Sequence, residues 1–178
     1  IHGSHQLTAI STDIAGNISF SSHGLSIIVD TTEPEKPIIA TTTSLTNIAT
    51  PTITGTTAPG TTVTLLDGDN VLGSVTAGSD GSFSITSSAP LTDADYTLTV
   101  TATNAAGNTS VPSTELNITI DTTAPDAPVI TTTTSLTNIA TPTIEGTAEA
   151  ESIVELFNGS KSLGTATAGS DGSFLITS

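Results

Sequence analysis

The thirteen residues TTTSLTNIATPTI occur identically at Thr41 to Ile53 and at Thr132 to Ile144, an offset of 91 residues. The same offset carries Asp30-Thr31-Thr32 onto Asp121-Thr122-Thr123, Pro37 onto Pro128, Ala15-Gly16-Asn17 onto Ala106-Gly107-Asn108, and TAGSDGSF at Thr76 onto its copy at Thr167. A fixed period of this kind marks a tandem array in which each copy is one folding unit. The chain therefore divides into the C-terminal part of one repeat (residues 1–29), a complete repeat (30–120) and the N-terminal part of another (121–178). Starting at Ile1 and stopping at Ser178 within a β-pattern, it reads as a segment of a longer array.

Period-two alternation between Gly, Pro, Asn and Asp punctuation predicts seven short strands in the complete repeat: 37–41, 51–57, 61–67, 71–76, 82–87, 95–103 and 114–120. In the clearest of them Tyr96, Leu98, Val100 and Ala102 face a core while the intervening Thr residues face water. Leu116, Ile118 and Ile120 form a second inward row. Tyr96, two residues before a core Leu at the start of the penultimate strand, sits where a tyrosine corner belongs. The reading is all-β, a string of immunoglobulin-like β-sandwiches of about 91 residues and seven strands each. No disulfide can staple them, because the chain has no Cys. The third piece would hold five strands and lack the last two, which predicts that Phe174 and Ile176 lose sheet partners and that open edges invite association.

With 17 acidic and 2 basic residues the formal charge is -15. Nucleic acid is excluded as a partner, since phosphate binding needs Lys and Arg. No apolar run is long enough for a membrane-spanning helix, so no membrane insertion is expected. All three His residues fall within the first 23 positions, in an incomplete repeat, so no hydrolytic triad is expected. Repetition favours reach over chemistry, because each copy adds length and none adds a distinct pocket. The chain is accordingly read as no enzyme.

Alternating strands place the linker at Asp30, the 57–60 turn, the Ser79-Asp80-Gly81 turn and the 104–108 loop at the incoming pole of the repeat. The outgoing pole collects Asp67, Asp69, Asp93 and Asp95, which in a tandem array would oppose Asp121, Glu149, Glu151 and Asp171 of the next copy. So many carboxylates repel one another unless separated or bridged by a cation. Ca²⁺ suits an all-oxygen set and Zn²⁺ does not. The metal candidates are Asp30 and Asp121 at the linkers, Asp80 and Asp171 in the SDG turns, and Asp13 and Asn104 at the start of the AGN loops. Turn chemistry and solubility alone would also place Asp at these positions. His2 and His5, spaced H-x-x-H, have no repeated counterpart and make a poor metal pair.

DTTAP at Asp121, the SDGSF turns, the Asp13-Ile14-Ala15-Gly16-Asn17 loop and the Tyr-x-Leu-x-Val strand resemble the bacterial immunoglobulin-like tandem repeats of giant type I-secreted, RTX-like adhesins and of biofilm-associated proteins. The resemblance covers essentially the whole chain. It implies a non-catalytic extension module, extracellular or on the bacterial surface, stiffened by structural Ca²⁺ between repeats. Asn104 departs from the DxAGN pattern that Asp13 keeps. The expected partners are neighbouring repeats of the same chain or other copies of it, with a host or surface ligand bound by a distal domain not present here. The leading expectation is a stalk supporting adhesion or biofilm formation. The alternative is an extracellular filament assembled by head-to-tail strand complementation between copies.

Overall fold

The computed structural model describes residues 2–178, and every regular element among them is a strand. The chain separates into a unit that ends at Thr122 and a second unit, Thr123–Ser178. The first opens with β1 (Gly3–Leu7) and β2 (Leu25–Val29), paired antiparallel from Gly3 opposite Val29 to Leu7 opposite Leu25. There follow β3 (Ile38–Ile39), β4 (Leu45–Thr46), β5 (Thr52–Thr56), β6 (Thr62–Asp67), β7 (Asn70–Thr76), β8 (Ser82–Thr86), β9 (Ala94–Thr103) and β10 (Leu116–Ile120). These make a two-sheet sandwich, with β3-β5-β8 on one side and β4-β10-β9-β6-β7 on the other.

The alternation that defines the strands also builds the core. Ile53 from β5, Val63 and Leu65 from β6, Phe83 and Ile85 from β8, Leu98 and Val100 from β9, and Ile118 and Ile120 from β10 form one buried cluster. Tyr96 packs at its edge and donates its hydroxyl to the carbonyl of Thr92 at 3.1 Å, closing the corner that its position predicts. Gly55 passes beneath the Phe83 ring: a Cβ there would lie 2.1 Å from the Ile38 carbonyl and 2.4 Å from Phe83 Cζ.

Two features depart from the sequence reading. The repeat has eight strands rather than seven, because its first strand is split. After β3 the chain leaves that sheet, and β4 runs parallel to β10 with Leu45 opposite Thr119. Only two residues of the Thr-rich stretch join the ladder, too few for alternation to reveal. The last strand also begins late, at Leu116 rather than Thr114. Ahead of it, buried Ser110 and Ser113 accept the Ala102 and Val100 N–H groups on their hydroxyls, each at 3.0 Å, and so replace backbone partners along β9. Ser19 and Ser22 accept from Ser11 and Ala9 in the same way, one repeat earlier.

The second unit contains β11 (Val129–Ile130), β12 (Thr143–Thr147), β13 (Ile153–Asn158), β14 (Lys161–Thr167) and β15 (Ser173–Thr177), in sheets β11-β12-β15 and β13-β14. The expectation that Phe174 and Ile176 lose sheet partners is corrected here. β15 pairs with β12 along its length, as β8 pairs with β5, and both side chains are buried with Val154. β8 and the strand that follows it, β9, belong to different sheets, so the sheet partner of β15 is β12 and never a counterpart of β9. Among the described residues no helix is long and apolar enough to cross a membrane.

Candidate functional site at the repeat junctions

Among the described residues β9 is the longest strand, at ten residues, and the residues flanking it hold the two linkers. At its N-terminal end the Asp93 carboxylate accepts from the Thr122 backbone N–H at 2.9 Å and from the Thr122 hydroxyl at 2.7 Å. The adjacent Asp121 N–H donates to the Thr46 carbonyl at 3.0 Å, so the split first strand also grips the outgoing chain. Asp95 accepts a bond from the Thr119 hydroxyl on the neighbouring strand.

At the C-terminal end of β9, Asn104 opens a tight loop. Its Oδ1 accepts from the N–H groups of Ala106 and Asn108, each at 3.0 Å, a side-chain-to-backbone turn typical of Asn and Asp. That leaves Nδ2 facing the incoming linker, where it donates to Asp30 Oδ2 at 3.2 Å and to the Thr32 carbonyl at 2.9 Å. Asn108 Nδ2 donates to the Asp30 carbonyl at 2.9 Å. From the other side, His2 Nδ1 accepts from the Thr31 N–H at 3.3 Å and lies 3.6 Å from Asp30 Oδ1. His2 and Thr31 stand one repeat before Asp93 and Thr122, so the same outgoing clasp recurs with an imidazole in place of the carboxylate.

Of the six metal candidates, the structure brings together Asp30 and Asn104. Asp13 is engaged within its own loop. Its Oδ1 accepts from Ala15 and Asn17 N–H, its Oδ2 accepts from Asn17 Nδ2, and the bonds to Asn17 lead in holding its carboxyl below the ordinary Asp value. Asp80 Oδ1 accepts from the backbone N–H and hydroxyl of Ser82, and Asp171 from those of Ser173; these bonds lower both carboxyl pKa values. Asp121 contributes its backbone to the outgoing clasp. Asp171, Glu149 and Glu151 belong to the second unit.

Among the described residues, no three His, Asp or Glu side chains gather closely enough to share a metal ion. The Asp30 clasp fits Ca²⁺ poorly on its own chemistry. The ion takes six to eight oxygens, whereas here one carboxylate faces an amide nitrogen whose oxygen is already committed to the loop.

Sequence reasoning singled out Asp30 and Asn104 but missed Asn108, Asp93 and His2 as linker contacts. The repeat register could have found them: Asn17 and Asn108 are in phase, and His2 falls on Asp93. Attention to carboxylates as cation ligands hid their role as acceptors for linker N–H groups.

Residues 39–122 match the family described as Bacterial Ig-like domain. Among solved structures, a tetra-tandem repeat in the extending region of a large adhesion protein is 28% identical, with 99% of this chain and 48% of that one covered and a TM-score of 0.40. The BSP domain of a biofilm associated protein is 27% identical, with 70% of this chain and 20% of that one covered, also at a TM-score of 0.40. The chain thus spans about half the length of the first and a fifth of the second. No curated protein matches it.

Proposed function

We propose that this run of Ig-like repeats is a length-setting part of a stalk, in a bacterial surface or secreted adhesin, that carries a binding domain away from its anchor. The observation that carries this reading is the pair of clasps on β9. The incoming linker is bonded at one end of the strand and the outgoing linker at the other, so the strand itself spans the module. At about 3.3 Å per residue, β9 and its flanking residues separate the clasps by about 35 Å. The -15 charge suits a solvated, non-associating surface.

Each clasp restrains linker torsions that would otherwise be free to flex, and the repeated DTT tripeptide gives consecutive modules the same handle. The partners in this reading are adjoining repeats of the same chain. Small-angle scattering on arrays of one to four whole repeats tests it. Maximum dimension should rise linearly, by about 35 to 45 Å per copy. Growth closer to the square root of copy number, as for flexibly tethered domains, would remove the spacer reading.

A further inference from the structure

We propose that Asn104 makes the joint at Asp30 a directly hydrogen-bonded one that takes no divalent cation, and that an Asp at this position is what makes such a joint calcium-dependent. The inference concerns how the joint is held and stands apart from the spacer reading.

The orientation of the Asn104 amide is over-determined. Its oxygen accepts two loop N–H groups while its nitrogen donates to the Asp30 carboxylate and the Thr32 carbonyl. Flipping the amide would set NH₂ against two N–H groups and an oxygen against a carboxylate and a carbonyl, losing all four bonds at once. A neutral donor thus stands where a bridging cation would have to sit between linker and loop. Asn108 Nδ2 completes the arrangement on the Asp30 carbonyl, and His2 removes a further carboxylate by replacing the counterpart of Asp93.

The chain contains its own control. Asp13 heads the corresponding loop one repeat earlier, with the same Oδ1 bonds to the N–H groups two and four residues further on. Asp therefore builds this loop as readily as Asn. The difference lies in the second side-chain atom: a donor nitrogen at Asn104, an anionic oxygen at Asp13. Asn104→Asp would set two carboxylate oxygens about as close as a hydrogen bond, with strong repulsion at that range. It would also turn the site into an all-oxygen set comprising both carboxylates, the Thr32 carbonyl and the Asp30 carbonyl, the donor chemistry Ca²⁺ prefers.

The test is a Ca²⁺ titration of the ¹⁵N-labelled 178-residue chain, following backbone and side-chain amides of Asp30, Thr32, Asn104 and Asn108. In the wild type these signals should stay in place through the range, about 10⁻⁴ to 10⁻³ M, in which extracellular calcium modules fill. In Asn104→Asp, the loop and linker signals should shift saturably in that range and return on chelation, and the melting temperature should rise with Ca²⁺. Asn104→Ala, which lacks both donor and carboxylate, should show a loosened linker and no calcium response. Saturable shifts at Asp30 and Asn104 in the wild type would overturn the proposal. So would an Asn104→Asp chain that ignores Ca²⁺, or a calcium response gained equally by Asn104→Ala. None of these readouts measures length, so their failure is distinct from failure of the spacer reading.

Discussion

Asp93 and Asn104 flank the same ten-residue strand, and each bonds a different linker: Asp93 holds Thr122 and Asn104 holds Asp30 and Thr32. One strand therefore links consecutive joints, and it is laddered on both sides, to β6 and to β10.

The clasps should govern the linkers rather than the fold. Asp93→Ala removes the acceptor of both Thr122 bonds but leaves the core intact, so global stability should fall by about 1 kcal/mol or less. Thr122 should become mobile by ¹⁵N relaxation while Leu98 and Val100 stay rigid. Unaltered order at Thr122 would remove Asp93 from the joint.

Buried Ser113 behaves oppositely. Ser113→Ala strands the Val100 N–H in the interior, where an unpaired donor costs about 1 to 3 kcal/mol. Urea unfolding should show that loss, and Ser113→Thr should restore part of it if the larger side chain is accommodated. A neutral Ser113→Ala would mean water reaches β9 there.

Two glycines are required for different reasons. Gly55→Ala should destabilise by about 2 kcal/mol or more, because its Cβ has no room between Ile38 and Phe83. Gly60 has open space but a φ of 73°, so Gly60→Glu should cost only about 1 kcal/mol, a backbone penalty. Its counterpart Glu151 already bears that conformation, at φ 65°. Denaturant midpoints that rank the two in reverse would contradict this assignment.

Acid should act through the SDG turns. The Ser82 backbone N–H and then its hydroxyl hold the Asp80 carboxyl below the ordinary Asp value, so folding favours the ionised form. That stabilisation is present above the ordinary Asp value and is lost as pH falls through the lowered folded value. Asp80→Asn, which keeps an acceptor but does not ionise, should lose less stability than the wild type between about pH 5 and pH 2. Identical acid sensitivity in urea midpoints would show that this turn does not contribute.

Much of the sandwich was legible because alternation and burial coincide: Tyr96, Leu98, Val100, Ile118 and Ile120 all lie in or against the core that the pattern assigns them. Leu45-Thr46 was not legible, since two residues carry no period and their place depends on pairing with distant Thr119. The junction was half legible. Asp30 and Asn104 follow from the repeat and the pole argument, but which atom of Asn104 faces the linker is decided by the loop N–H groups, which spacing does not reveal.

The most direct measurement of the central claim is the distance between spin labels on consecutive modules. The chain has no Cys, so single cysteines at exposed Ser74 in each of two joined copies of residues 30–120 give one defined pair. The clasps predict a single narrow distance distribution that is the same with calcium and with chelator. A broad distribution in chelator that narrows only when Ca²⁺ is added would contradict a joint held by Asn104 and Asn108.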